Sequence, residues 1–530
     1  MRSMTDEGRR RRARPHTPVE GRGLAQTPSS DLADARPPSP AKGAVVFTHL
    51  QLPTVWKADS VIALIRGGFD GAGLRSCMRG AGAVWRPSPA KRGARLHAAL
   101  VARPGSCIRR LAAGDRAQQM QFFRFLRNEA VTVAEMAETA AARTAGLVAG
   151  RDILAIQDSS ELILGGKEAR ARGFGPIGRG GGTGGLLLHS VLAVDAATGA
   201  LLGLVGMQVR NREGGKVAPR TKRLTAAKES QRWLDGMFNA AEVLRQAARI
   251  TVVGDRESDI YEEYARRPAN VHLLTRVAQD RRIETATGQM ALLFGFSDTL
   301  PEQARIVVTI PAAPGRKRRT AELALRYAPV LVCKPKNGAA GALPKTVPLT
   351  LVDIRETTAP EEGEPIHWRL ITTHTVDNPA TARMILDFYR RRWIIEDYFR
   401  TLKTAGFDIE AAEIETPDAM LRFVGAAACA AVTIMQLVRA RDGATEQLLE
   451  EAFDPADQPL LEALSAKLEG KTQRQKNPHQ KGKLAFAAWV IARLGSWDGY
   501  YGKPGPKVMR RGLEDFQLIK YGHQIGPINV

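Results

Sequence analysis

Between residues 153 and 375 the chain is laid down as short apolar runs, rich in β-branched residues and separated by turn formers, and this texture limits the fold more than any other feature. ILAIQ (153–157), LLLHSVLAV (186–194) and LLGLVGMQV (201–209) predict three strands. The stretch from about Ala226 to Ala248 reads as a helix, ITVVGD as a buried strand ending at Asp255, SDIYEEYARR as helical, and VHLLTRV as a further strand. Strands followed by alternating strand and helix predict an α/β fold built on a mixed sheet. From 281 to 375 the runs IVVTI, AELALRYAPVLV, VPLTLVDI and IHWRLITT predict a β-rich insertion, interrupted by a basic loop at Arg316 to Arg319. The glycines at 180–182, 184 and 185 are expected to form a flexible loop; no Lys-Ser or Lys-Thr follows, so a phosphate loop is excluded.

Different sequence flanks this centre. Residues 1–85 form a poorly defined basic segment whose first 45 or so residues hold too few large apolar side chains to offset the entropy of ordering. Residues 86–150 turn Ala-, Leu- and Arg-rich and predict a small basic helical domain. Long helices return over 376–440, and 441–530 reads as a helical C-terminal domain with a Lys- and Gln-rich loop at Lys471 to Lys483. The apolar stretch Phe423 to Val438 is shorter than the roughly 20 residues that a bilayer span needs, so it predicts a buried helix.

A chain of 530 residues with 44% hydrophobic side chains can bury more than one core. Lys and Arg number 77 against 55 Asp and Glu, a net charge of +22 that favours a polyanion such as nucleic acid, with a solvated basic surface as the alternative. Cys77, Cys107, Cys333 and Cys429 lie far apart, which argues against a zinc module or a disulfide scaffold. The basic run at Arg9 to Arg12 is followed by Pro-rich polar sequence rather than the apolar core of an export signal, and no membrane partner is expected.

Asp158 and Asp255 each end an apolar strand in this reading, where a sheet can hold carboxylates along one edge. Each could equally be a helix cap, since Asp158 and Glu161 have capping-box spacing. A third group lies on a helix beginning near Asp387, where Tyr389, Arg392, Glu396 and Lys403 follow the spacing Y-x2-R-x3-E-x6-K. At about 100° per residue these four fall within a sector of roughly 60°, one polar stripe several turns long. The alternative is a solvated face with an i,i+4 ion pair between Arg392 and Glu396, although Phe388, Trp393, Ile394 and Ile395 offer an apolar side to bury. Trp368 alternates with Ile366 and Leu370, the pattern of a core aromatic, and His189 and His367 lack metal-ligand spacing.

The segments LAIQDSSEL, LLLHSVLAVD, VVGDRESDIYEEY, GEPIHWRLITT and YRRRWIIEDYFRTLKTAGFDIE, in this order, resemble the bacterial insertion-sequence DDE transposases of the IS-four family, over roughly residues 92 to 500. The resemblance implies an RNase H-like mixed sheet core (151–280 and 376–440) with the β-rich insertion between, and a DNA-binding role for the helices of 86–150. It implies that Asp158, Asp255 and Glu396 hold two Mg²⁺ ions, with Mn²⁺ able to substitute. Tyr389, Arg392, Lys403, Arg276 and Arg400 would contact DNA, and Trp368 would stack on an unpaired base of a hairpin intermediate. The reaction would be cut-and-paste transposition by end cleavage, hairpin formation and opening, and strand transfer. The implied partners are double-stranded DNA, as terminal inverted repeats and target, and a second copy in a synaptic homodimer. The setting would be the bacterial cytoplasm, on the nucleoid. The sequence departs from the family's pattern over the first 85 residues and after the glutamate, where Phe399 and Arg400 occupy a position often held by Lys or His. A resolvase-type nuclease and a non-catalytic descendant that only binds DNA are the competing classes.

Overall fold

A computed structural model of the chain describes residues 88–178, 181–212, 229–310, 317–336, 343–360, 363–500 and 502–525. The expectation for residues 1–85 lies outside them, as does Arg316 of the basic loop.

The strands are β1 (Asp152–Gly165), β2 (Gly175–Ile177), β3 (Thr183–Asp195), β4 (Leu201–Arg210), β5 (Arg249–Gly254), β6 (Val271–Arg276), β7 (Arg282–Thr285), β8 (Met290–Leu292), β9 (Ala304–Ile310), β10 (Arg319–Cys333), β11 (Thr346–Glu356) and β12 (His367–Thr372). The helices of eight or more residues are α1 (Pro89–Ala102), α2 (Arg116–Leu126), α3 (Val133–Ala145), α4 (Gln231–Val243), α5 (Pro379–Arg391), α6 (Trp393–Arg400), α7 (Pro417–Ala440), α8 (Gln458–Leu468), α9 (Leu484–Leu494) and α10 (Pro506–Ile525).

All the described strands join one mixed sheet in the order β2-β3-β1-β5-β6-β12-β11-β10-β7-β8, with β4 on β3 and β9 on β10. β1 runs antiparallel to β3 and parallel to β5, and β6 is parallel to β5. The predicted β-rich insertion is therefore part of the same sheet, joined through β6 and β12 where Leu370, Ile371 and Thr372 pair with Arg276, Thr275 and Leu274.

Alternation along β1 explains the layers. Leu154 and Ile156 enter one apolar cluster, while Ile153 and Ala155 enter a second with Met237 and Ala240 of α4. A strand buried on both faces needs cover on both, and its near-continuous apolar sequence follows from that. The first cluster takes in α1, α2, α5, α6, α7 and α9. The N-terminal helices thus share a core with α7, against which α1 and α3 pack. Local signals set their starts: Ser88 caps α1, Asp115 caps α2, and Thr132 with Glu135 forms a capping box on α3. Among the described residues α7 alone is long and apolar enough to cross a membrane, and most of it is buried in the protein.

Two sequence expectations change here. Asp158 does not end its strand: β1 continues to Gly165 because its pairing with β3 persists after its pairing with β5 has stopped at Val253. Gly184 and Gly185 belong to β3 rather than to a loop, and a Cβ on Gly185 would overlap the Leu162 carbonyl oxygen, so glycine there permits close strand approach.

Candidate active site

Asp158 lies on β1, two residues past its last pairing with β5, and Asp255 follows the end of β5. Neither acts as a cap; Asp255 precedes a short 3-10 turn without bonding it through its side chain. Opposite them stands the segment Tyr389 to Glu396, which is not one continuous helix. Arg392 closes α5 and opens α6, and its N–H bonds the Tyr389 carbonyl at 3.0 Å, a tight i,i+3 turn.

That break aims the Arg392 guanidinium at three acids. Nη1 donates to Asp158 Oδ2 at 3.3 Å, and Nη2 donates to Glu396 Oε1 at 2.6 Å and lies 3.8 Å from Asp255 Oδ2. Because Asp255 and Glu396 meet the same nitrogen, their oxygens stand no farther apart than those two distances laid end to end. The Arg392 side chain is 4% exposed, whereas those of Asp158, Asp255 and Glu396 are 21%, 32% and 44% exposed, so the carboxylates form the open side of the cluster. Tyr389, fully buried, donates its hydroxyl to Asp255 Oδ1 at 3.1 Å.

Burial raises the Asp158 carboxyl to about 6, against the Ser159 N–H and the Arg392 charge, and the neighbouring Asp255 and Glu396 add to the rise. Burial and Asp255 push the Tyr389 hydroxyl up to about 12, so it remains a proton donor. Burial works against the Arg392 cation, but Tyr389 and the three carboxylates outweigh it and its pKa is raised. Deeper in, Gln157 donates to Glu263 at 2.9 Å, and burial pushes that carboxyl up to about 8.

The remaining predicted residues divide. Trp368 on β12 is half-buried and packs edge-on against Tyr389, with ring centroids 5.3 Å apart, and 6.0 Å from Trp393. Arg276 on β6 is near enough for its charge to act on Tyr389. Lys403 lies in a π-helical turn, Thr401–Ala405, and pairs with Glu410 at 3.6 Å. Arg400 is exposed and pairs with Asp397 at 2.7 Å. Arg392, expected to meet DNA phosphate, faces the carboxylates instead. His189 bonds Ser159, and His367 bonds Asp353, in structural contacts. Sequence reasoning missed Arg232, whose contacts adjoin both aspartates; only the nearness of its partners Ser159 and Glu257 to those aspartates could have pointed to it.

Three carboxylates against one guanidinium leave an acidic excess, and oxygen donors suit a hard divalent cation. As they stand the oxygens surround Arg392, and among the described residues no three acidic, His or Cys side chains converge on one metal-sized point.

Carboxylates gathered from two neighbouring parallel strands and a facing helix, beside an aromatic wall, define a candidate centre for metal-dependent phosphoryl transfer. Residues 158–433, that is 276 of 530 and just over half, match the family described as the transposase DDE domain, and the chain belongs to that family. It is a DDE transposase, a metal-dependent enzyme that cleaves DNA in transposition and recombination. The matched segment opens at Asp158 and runs through Asp255 and Glu396 into α7.

Proposed function

We propose that Asp158, Asp255 and Glu396 are the metal-binding carboxylates of a bacterial insertion-sequence transposase of the IS-four type, with its Tyr-Arg-Glu-Lys signature at Tyr389, Arg392, Glu396 and Lys403. The observation that carries this is the single guanidinium of Arg392 reaching all three acids, which come from distant parts of the chain. The neighbourhood β4-β3-β1-β5-β6, antiparallel and then parallel, supports an RNase H-like core. On this reading 151–280 and 376–440 form the core, 281–375 the insertion, 86–150 a DNA-binding domain and 441–530 a C-terminal domain for pairing with a second copy.

Two Mg²⁺ ions, for which Mn²⁺ can stand in, would supply an activated oxygen nucleophile and charge neutralisation at the phosphate. The protein's own groups do the rest. Tyr389 holds Asp255 through Oδ1, the Ser159 N–H holds Asp158 at 2.8 Å, and Arg392 keeps the acids together while DNA is absent. Arg276, Arg400 and Lys403 offer charge to phosphates, and Trp368 beside Tyr389 offers a ring face to a base displaced from its stack. The substrates are the element's terminal inverted repeats and target DNA, cut and joined through a hairpin on the nucleoid of a bacterial cytoplasm.

The test is nicking of end-containing DNA in Mg²⁺ by Asp158→Asn, Asp255→Asn and Glu396→Gln. Each is expected to lose cleavage while retaining DNA binding in EDTA. Full nicking by all three rejects the assignment, and a wild-type chain that binds ends without ever nicking them selects the non-catalytic class.

A further inference from the structure

Backbone pairing between β1 and β5 ends at Ile156 opposite Val253. Asp158 and Asp255 each lie two residues beyond that pair, so no ladder bond ties one to the other and side chains must set their spacing. Arg392 reaches the carboxylates themselves. A second arginine, Arg232 near the start of α4, reaches the residues next to them.

The Arg232 side chain is 8% exposed and all three of its nitrogens lie at bonding distance from a partner. Nε donates to Ser159 Oγ at 2.8 Å, Nη2 to Glu257 Oε2 at 2.8 Å, and Nη1 to the Glu229 carbonyl at 2.7 Å. Ser159 follows Asp158 and gives it a backbone hydrogen bond at 2.8 Å. Glu257 lies in the turn that Asp255 opens, where the Ser258 N–H meets the Asp255 carbonyl at 2.9 Å. A guanidinium can only donate, so Ser159 Oγ accepts from Arg232 and its own proton is free for His189 Nδ1, 2.9 Å away. Burial holds the His189 ring neutral, with a pKa near 3, as an acceptor there requires. An unbroken chain of hydrogen bonds thus links β3, β1, α4 and the turn after β5. α4 itself has little freedom: Gly236 lies so close to Gln157 that a Cβ would overlap its side-chain oxygen.

We propose that Arg232 is a positioning residue for DNA cleavage, clamping the segments that carry Asp158 and Asp255 at the spacing their metal ions need. The inference rests on the assignment of those two acids as ligands. Groups behind a ligand tune metal affinity, with changes of about 10- to 100-fold when they are removed. Arg232→Gln in the full chain is expected to raise the Mg²⁺ midpoint for nicking about tenfold. The Tb³⁺ luminescence midpoint of the DNA-free protein should shift in parallel, while the rate at saturating Mg²⁺ largely returns. Glu257→Gln, whose side chain is 68% exposed and outside the core, should shift both midpoints the same way and decides the matter if Arg232→Gln fails to fold. The double variant should shift no further than Arg232→Gln alone. Unchanged midpoints in Glu257→Gln and Arg232→Gln, with only a lower saturated rate, overturn the clamp. An Asp158→Asn control that binds Tb³⁺ and nicks like the wild type instead overturns the ligand assignment, a distinct result.

Discussion

Replacing Arg392 by glutamine removes the one cation shared by Asp158, Asp255 and Glu396. At 4 Å a unit charge pair attracts by about 4 kcal/mol in the effective dielectric near a protein surface, but repulsion among three acids and the cost of burying a guanidinium offset most of that. Breaking a fully buried pair costs about 3–5 kcal/mol. Here the acids are 21%, 32% and 44% exposed, and water takes up part of the loss, so about 2 kcal/mol is expected. Divalent ions should relieve it, because they supply the missing positive charge without a competing guanidinium, and so bind and stabilise the variant more than the wild type. Urea melts of Arg392→Gln and wild type, in EDTA and in saturating Mg²⁺, measure both quantities. The variant's deficit should fall by at least half in Mg²⁺. A deficit of equal size in both buffers would make Arg392 a packing residue with no electrostatic part in holding the acids.

Asp158, raised to about 6 chiefly by burial, binds its proton more tightly in the folded than in the unfolded chain, so its contribution to metal-free stability is full below pH 4 and is lost as pH rises through 6. Metal needs the ionised form, and Mg²⁺ affinity by calorimetry should be about tenfold weaker at pH 5 than at pH 7; equal affinities at the two pH values refute this. Trp368→Ala should slow hairpin formation more than first-strand nicking in a gel assay of end DNA, whereas equal slowing identifies Trp368 as a core aromatic.

The longer strands were legible because each is an apolar run bounded by turn residues, and the runs at 153–157, 186–194 and 201–209 fall inside β1, β3 and β4; β2, β7 and β8, three or four residues long, carry no such run. The helices were legible as stretches: 86–150 holds α1, α2 and α3, and 376–440 holds α5, α6 and α7. What periodicity could not show was where regular geometry stops. The stripe through Tyr389, Arg392, Glu396 and Lys403 assumes one ideal helix; the break at Arg392 turns its guanidinium inward, and Lys403 falls in a π turn. The extent of β1 depended on a partner, β3, that outlasts β5, a tertiary fact absent from the local sequence. Arg232 was invisible for a related reason. Its neighbours in sequence mark only a helix start, and its importance lies in two contacts made 73 and 25 residues away.

Anomalous diffraction from crystals of the protein bound to end DNA and Mn²⁺ locates the ions directly. Manganese peaks are expected within about 2.2 Å of oxygens from Asp158, Asp255 and Glu396, with Arg392 moved off at least one of them. Manganese bound elsewhere, with all three acids still gathered on Arg392 in a complex that cleaves when warmed, contradicts their assignment as ligands.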